Sequence, residues 1–278
     1  MEATAVATPV LEWLAAGEAH AHGAVHGAPR GVTYLDLGGA VVALTARALP
    51  LMPNGVSVER ATAAAGIVRA APGRIDVGAE RITWDAAHPP SWEPALRRAS
   101  PGERDALSRR GTAILWALGV SGPPSIDGGV SVTVRGVGQE GARHLRRALL
   151  DRDADEAARA GERLIGLGPG LTPEGDDVLC AVAATVAALG DAVGFAEPAR
   201  ERWLGALLPA DRRERTTALS ATLLDLAAQG RIAEPVHPLL DTGHPGWRDA
   251  LARLEGVGAS TGRAYAVSVG SAMRLLAA

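Results

Sequence analysis

The sequence predicts an α+β protein: a β-containing N-terminal region over residues 1–138, then an α-helical region over 139–278 rich in small residues. Three observations predict it. Short apolar runs bounded by glycine crowd the first half, and such runs read as strands joined by tight turns. From about Gln139 the apolar positions recur instead at helical spacing. Between Leu164 and Gly190, in "LIGLGPGLTPEGDDVLCAVAATVAALG", a glycine-rich turn passes through Thr-Pro and two adjacent acids into a helix of small residues.

Taken in order, "GVTYLDLGGAVVALTA" (31–46) gives two strands around the hairpin dipeptide Gly38-Gly39. The Ala-rich stretch Ser57 to Ala71 fits a short helix, and "GRIDVGAERITWD" (73–85) fits a second strand pair broken at Gly78. "HPPSWEP" (88–94) is a proline-rich turn, and Pro101 starts a helix reaching Leu118, proline being suited to a first helical position. "GGVSVTVRGVG" (128–138) is one more glycine-bounded strand. Helical spacing with alternating charge then covers Gly141–Leu167, the pattern of a solvated face. Further helices are expected over Asp177–Leu189, Asp211–Gln229 and Ser260–Leu276, with a Pro/Gly connector, "EPVHPLLDTGHPGW", between the last two. With only 3% aromatic residues, Trp84, Trp92 and Trp116 are expected to pack in the core.

Composition excludes several functions. Net charge is −3, and residues 1–140 carry 12 Arg against 13 Asp/Glu while 141–278 carry 16 against 18, so no basic surface for nucleic acid or an anionic membrane is expected. The Met1-Glu2 start has no basic n-region, and the longest apolar run, Val178 to Leu189, is too short for a membrane span. A single cysteine, Cys180, leaves no intrachain disulfide, and a cytoplasmic protein is expected. All 28 basic residues are arginine. Without lysine there is no Schiff-base chemistry, no lysyl-linked cofactor and no P-loop. His20, His22 and His26 have only Glu18 close in sequence as a further ligand, and a loose surface segment is expected there rather than a metal site.

The chemistry concentrates in "GLGPGLTPEGDD" (166–177). Gly166, Gly168 and Gly170 permit positive φ and close approach of a ligand to the main chain. Thr172 suits the N-cap and Pro173 the first helical position, with Glu174, Asp176 and Asp177 in a first turn whose dipole favours acids. Helix initiation alone accounts for those five residues. It does not account for three spaced glycines or for Gly175, which costs about 0.5–1 kcal/mol relative to alanine inside a helix. Free N–H groups at such a turn form an anion site, and the paired acids could hold Mg²⁺ beside it or bond an amide nitrogen. A ligand site and a pure cap remain equally open on composition. Two weaker clusters follow. "RTTALSATLL" places Thr217 and Ser220 on one helix face, and "GVGASTG" leads through Ser260, Thr261 and Gly262 into the last helix. Local bonding to backbone accounts for either alone. If the three helix starts converge, they line one polar pocket.

Those clusters, in this order, resemble the AllH-type oxamate carbamoyltransferase subunit family, whose turn looks like G-x-GPGLTP-S-GDD. The resemblance covers about Leu164 to Leu276. Here Glu174 stands where serine is usual and Ala259 where a histidine tends to precede Ser260. It implies a component of a carbamoyltransferase acting on carbamoyl phosphate and a small amide such as oxamate, in purine-derived nitrogen catabolism, with partner subunits. On that reading Asp176 and Asp177 orient the substrate nitrogen or hold Mg²⁺, and Gly168, Gly170, Thr172 and Gly175 line the substrate with Thr217, Ser220, Ser260, Thr261 and Gly262. Arg215 and Arg263 clamp its oxygens, as arginine does bidentately. A non-catalytic assembly subunit is the competing reading, and a stand-alone Mg²⁺-dependent phosphoryl-transfer enzyme a third.

Overall fold

The structure is a computed structural model that describes residues 1–16, 25–26, 31–60, 66–120 and 137–278. The strand expected at 128–138 lies almost wholly outside the described residues, as do His20 and His22. The chain divides into two compact units, Met1–Pro94 and Ala95–Ala278.

The first unit carries two sheets. In the larger, β1 (Ala3–Ala7), β2 (Val25–His26), β3 (Val32–Asp36), β4 (Val41–Ala46), β5 (Gly55–Val58) and β9 (Ser91–Trp92) lie in the order β2-β3-β4-β5-β1-β9. The expected hairpin is β3–β4, paired Val32↔Thr45 through Asp36↔Val41. Its turn is set by Asp36, whose Oδ1 accepts from Gly38 N at 2.8 Å while Gly38 takes φ +79°, the left-handed region open to glycine. The smaller sheet runs β6 (Val68–Ala71), β7 (Arg74–Val77) and β8 (Glu80–Thr83), so the pair broken at Gly78 forms as expected. The short helix expected over Ser57–Ala71 is replaced at both ends by strand, β5 and β6. Alternating burial at Val68 and Ala70 decided it: a period of two buries one face of β6, which a helix could not do. Val6, Leu35, Leu44, Val56, Ile75 and Ile82 are fully buried at the core, joined by α1 (Thr8–Ala15) through Val10 and Leu14.

The second unit is helical: α2 (Arg104–Ala117), α3 (Val137–Asp151), α4 (Ala154–Leu164), α5 (Glu174–Leu189), α6 (Ala199–Leu207), α7 (Arg212–Arg215), α8 (Ala218–Ala228), α9 (His237–Leu240), α10 (Trp247–Glu255) and α11 (Thr261–Leu276). The composition shift at 138/139 is therefore not where the structure divides, because α2 packs with the helices. Gly111 and Gly270 are what allow it, since a Cβ on Gly111 would sit 2.6 Å from Gly270 O. The helical pattern over 141–167 is two helices, split where Arg152 takes φ +54°. That over 211–229 is also two, split at Thr216 in extended conformation. Trp84 is buried and Trp92 packs against the first unit's core, but Trp116 is 81% exposed on α2, contrary to the expectation that it packs.

Helix α5 is the axis of this unit. Every residue from Glu174 to Leu189 except Ala187 is buried, so its start, with three acids, is enclosed by neighbouring elements. Small side chains let helices approach closely, and a Cβ on Gly161 of α4 would lie 2.1 Å from Leu207 O of α6. Among the described residues, no helix is long and apolar enough to cross a membrane.

Candidate functional site

Helix α5 begins at Glu174, three residues before the expected Asp177–Leu189 range and one after the Pro173 start that the capping pattern suggests. Pro173 is the N-cap, and its carbonyl accepts from both Asp176 N (2.9 Å) and Asp177 N (3.1 Å). Thr172 is therefore freed from capping, and its hydroxyl lies 3.1 Å from that of Thr261 at the start of α11. Gly175 N donates to Leu167 O at 2.9 Å, and a Cβ there would fall 2.0 Å from Leu164 O. The close approach that Gly175 permits is thus to the chain's own carbonyl. Gly262 is alike: a Cβ would lie 1.7 Å from Leu254 O. A Cβ on Gly166, at φ +68°, would lie 2.3 Å from Arg215 O.

Gly168 and Gly170 differ. Both take positive φ, +118° and +101°, and a Cβ on Gly170 would meet nothing within 4 Å. Among the described residues, no backbone carbonyl accepts from the N–H of either. The same holds for the Leu171 and Thr172 N–H groups, so the turn's available donors lie along 168–172 and not at the Gly175–Asp177 helix start.

The three helix starts converge on the acids. Asp176 Oδ1 accepts from Gly166 N at 2.7 Å and its Oδ2 accepts from the Thr216 hydroxyl. Thr217 caps α8, its Oγ1 accepting from Ser220 N at 3.0 Å while donating to Leu171 O at 2.6 Å, so it staples the glycine turn to the helix. Among the described residues Ser220 Oγ is buried with no hydrogen bond of acceptable geometry, though it lies close enough to favour the charged form of Asp176. Asp177, 2% exposed, leaves its Oδ2 buried without a partner among the described residues, although the Thr261 and Thr172 hydroxyls adjoin its carboxyl. Ser260 stands at the N-cap position of α11, exposed, with no capping bond from its side chain.

Burial dominates the electrostatics. Desolvation raises the pKa of Asp176, opposed by the Thr216 hydroxyl, the Gly166 N–H and the Ser220 hydroxyl. Desolvation pushes Asp177 well above the usual carboxylate range, against the Thr261 hydroxyl, with Asp176 and Glu174 adding like-charge repulsion. Among the described residues, no guanidinium acts on either carboxyl. The two sequence-predicted clamps are engaged elsewhere. Arg215 Nη1 meets Glu162 Oε2 at 2.6 Å, and Arg263 Nη2 donates to Leu118 O at 3.1 Å. A magnesium site is poorly supported by the donors, because Asp176 has both oxygens committed and no group of three His, Cys, Asp or Glu among the described residues could hold a metal. Cys180, one turn further along α5, is buried, and desolvation raises its thiol.

Sequence reasoning missed Thr216 and the Gly166 N–H as the partners of Asp176. A Thr-Thr doublet at a helix start was the available signal, since one hydroxyl suffices to cap and the second is left for another partner.

An α-helical unit with three hydroxyl-bearing helix starts around two buried acids is thus the class of site this chain presents. Residues 164–273 match the family model described as "Oxamate carbamoyltransferase subunit AllH", so the resemblance read from the glycine turn is shown over that stretch, and the family is one of carbamoyltransferase components. No curated protein and no solved structure gives a significant match.

Proposed function

We propose that the chain is a component of a carbamoyltransferase acting on carbamoyl phosphate and a small amide such as oxamate, in purine-derived nitrogen catabolism, and that it works with partner subunits. The observation that carries this reading is the convergence of the starts of α5, α8 and α11 within the family-matched stretch, where, among the described residues, Asp177 Oδ2 is buried without a partner and the glycine turn before it leaves the Gly168 and Gly170 N–H groups without a backbone acceptor. In the transfer, the acceptor's amide nitrogen forms a new bond to the carbamoyl carbon, the C–O bond to phosphate breaks, and the nitrogen's proton leaves with the phosphate. The step passes through a tetrahedral oxyanion, which preorganised N–H donors stabilise. Gly168 and Gly170 supply those donors; Thr172, Ser220, Ser260 and Thr261 line the substrate; Asp177 faces its nitrogen, and Asp176 holds the turn in place beside it.

The test is carbamoyl transfer from carbamoyl phosphate to oxamate by the assembly isolated on a tagged chain. Asp177→Asn is expected to leave the assembly intact and to lower turnover by about 100-fold or more, the scale of losing one polar group that acts on the reacting atoms. A variant assembly with wild-type turnover would favour the non-catalytic assembly role instead.

A further inference from the structure

Of the two adjacent acids, the structure treats one as part of the protein and leaves the other open. Asp176 has a donor on each oxygen, the Gly166 N–H and the Thr216 hydroxyl, and so closes the glycine turn onto the extended link before α8. Asp177 lies one residue on, about 100° around the helix, next to the Thr172–Thr261 hydroxyl pair, with Oδ2 buried and unsatisfied. A buried polar atom without a partner costs free energy that a native structure ordinarily avoids. The atom that would satisfy a carboxylate oxygen is a donor. Nearby, Leu171 and Ser260 are exposed while Thr172 and Thr261 are partly so, so the hydroxyl pair lies between residues in contact with water and the buried oxygen in degree of burial.

The same surroundings disfavour phosphate. Glu174, Asp176 and Asp177 are all buried in the first turn, the Gly175, Asp176 and Asp177 N–H groups are bonded to Leu167 O or Pro173 O, and Arg215 and Arg263 are tied to other partners. Phosphate would find buried acids where it needs donors.

We infer that Asp177 Oδ2 is the recognition point for the N–H₂ of a carboxamide, that this cluster selects amide over carboxylate in the acceptor, and that it holds no phosphate. Asp176 is a positioning residue that shapes the turn and does not touch the ligand. The inference rests on the carbamoyltransferase reading for its choice of acceptor, and it divides the substrates: this chain takes the amide, and the phosphoryl group is held by groups outside this cluster.

The experiment is calorimetric titration of the full chain with oxamate, with oxalate, which carries a carboxylate in place of the amide, and with inorganic phosphate. Wild type is expected to bind oxamate at least about tenfold more tightly than oxalate, and phosphate not saturably. Asp177→Asn, near-isosteric with the wild-type residue, is expected to weaken oxamate about tenfold and to erase the oxamate-over-oxalate preference. A purely structural role would not move that ratio. Thermal melting confirms that the variant is folded, and Thr172→Val serves as a second variant that removes a hydroxyl beside the same oxygen and is expected to narrow the preference. Saturable phosphate binding, no oxamate binding by folded wild type, or an unchanged ratio in a folded Asp177→Asn overturns the inference. Failure here with transfer by the assembly intact leaves the proposed function standing. Amide selection lost with Asp177, but no transfer by the assembly, would keep the inference and remove that function.

Discussion

The hydroxyls of Thr172 and Thr261 lie 3.1 Å apart although 89 residues separate them in the chain. They tie the end of the glycine turn to the start of α11, so the turn is held from one side by α11 and from the other by Thr217, which donates to Leu171 O. Thr261→Val keeps the shape and removes the hydrogen bond. Because the pair is part-buried, the expected cost is about 0.5–1.5 kcal/mol, read as a lower denaturant midpoint with an unchanged slope.

Thr216 has a heavier task, since its hydroxyl satisfies one oxygen of a buried carboxylate. Thr216→Val leaves that oxygen without its donor, at a cost of about 1–3 kcal/mol, while Thr216→Ser retains the donor. Urea titration should place serine near wild type and valine well below it. Equal midpoints for the two would mean that the hydroxyl contributes nothing.

The buried acids give stability a particular pH dependence. Burial raises the Asp177 carboxyl well above its unfolded value of 3.8, so the folded state binds that proton more tightly than the unfolded one. Its contribution is therefore largest below about pH 3.8, falls as pH rises through the folded value, and is flat above it. Glu103 runs the opposite way, lowered to about 2 by Arg97, so its contribution is present above 4.5 and lost as pH falls towards 2. Comparing wild type with Asp177→Asn separates the two, because only the first changes. The asparagine variant is expected to melt higher at neutral pH and to lose the part of the decline that belongs to Asp177. A variant less stable than wild type at pH 8 would refute this account.

Cys180 is expected to be unreactive in the folded protein. It is buried on α5, and desolvation, the largest influence, raises its pKa well above the usual thiol value against the opposing Tyr265 hydroxyl, while Asp177 and Asp176 add repulsion against a thiolate. The thiolate is the nucleophile in exchange with an aromatic disulfide reagent. Modification should therefore be slow in buffer and complete in denaturant, and rapid labelling of the native chain would mean that α5 is accessible.

The sequence carried the α+β order and the local signals: the Gly38-Gly39 hairpin, the pair around Gly78, and the helices at Pro101, Asp177 and Ser260 were all legible from glycine, proline and spacing. What escaped it was long-range. The strand at Val68–Ala71 is set by cross-strand pairing with β7, which the local Ala-rich composition of 57–71 obscures. The place of α2 among the helices rests on the crossing of Gly111 and Gly270, two positions far apart in the chain. At the site, the hydroxyls and acids were named but their partners were not. Arg215 looked like a clamp because it adjoins the threonines, yet Glu162, distant in sequence, holds it.

The glycines sort the same turn into fold and site. Gly262→Ala would put a methyl 1.7 Å from Leu254 O, and Gly175→Ala one 2.0 Å from Leu164 O, both against backbone that cannot swing aside. Each is expected to cost at least about 1–3 kcal/mol, as overpacking does, or to prevent folding. Gly170→Ala meets no atom within 4 Å, and its cost is confined to the strain of φ +101°, about 1–3 kcal/mol. If the Gly170 N–H serves a ligand, the substitution re-aims that donor without filling space, so binding or transfer should fall by more than stability does. Melting curves and ligand titration on the three variants decide it. Gly170→Ala with binding intact at reduced stability would make this glycine, like the other two, a requirement of the fold alone.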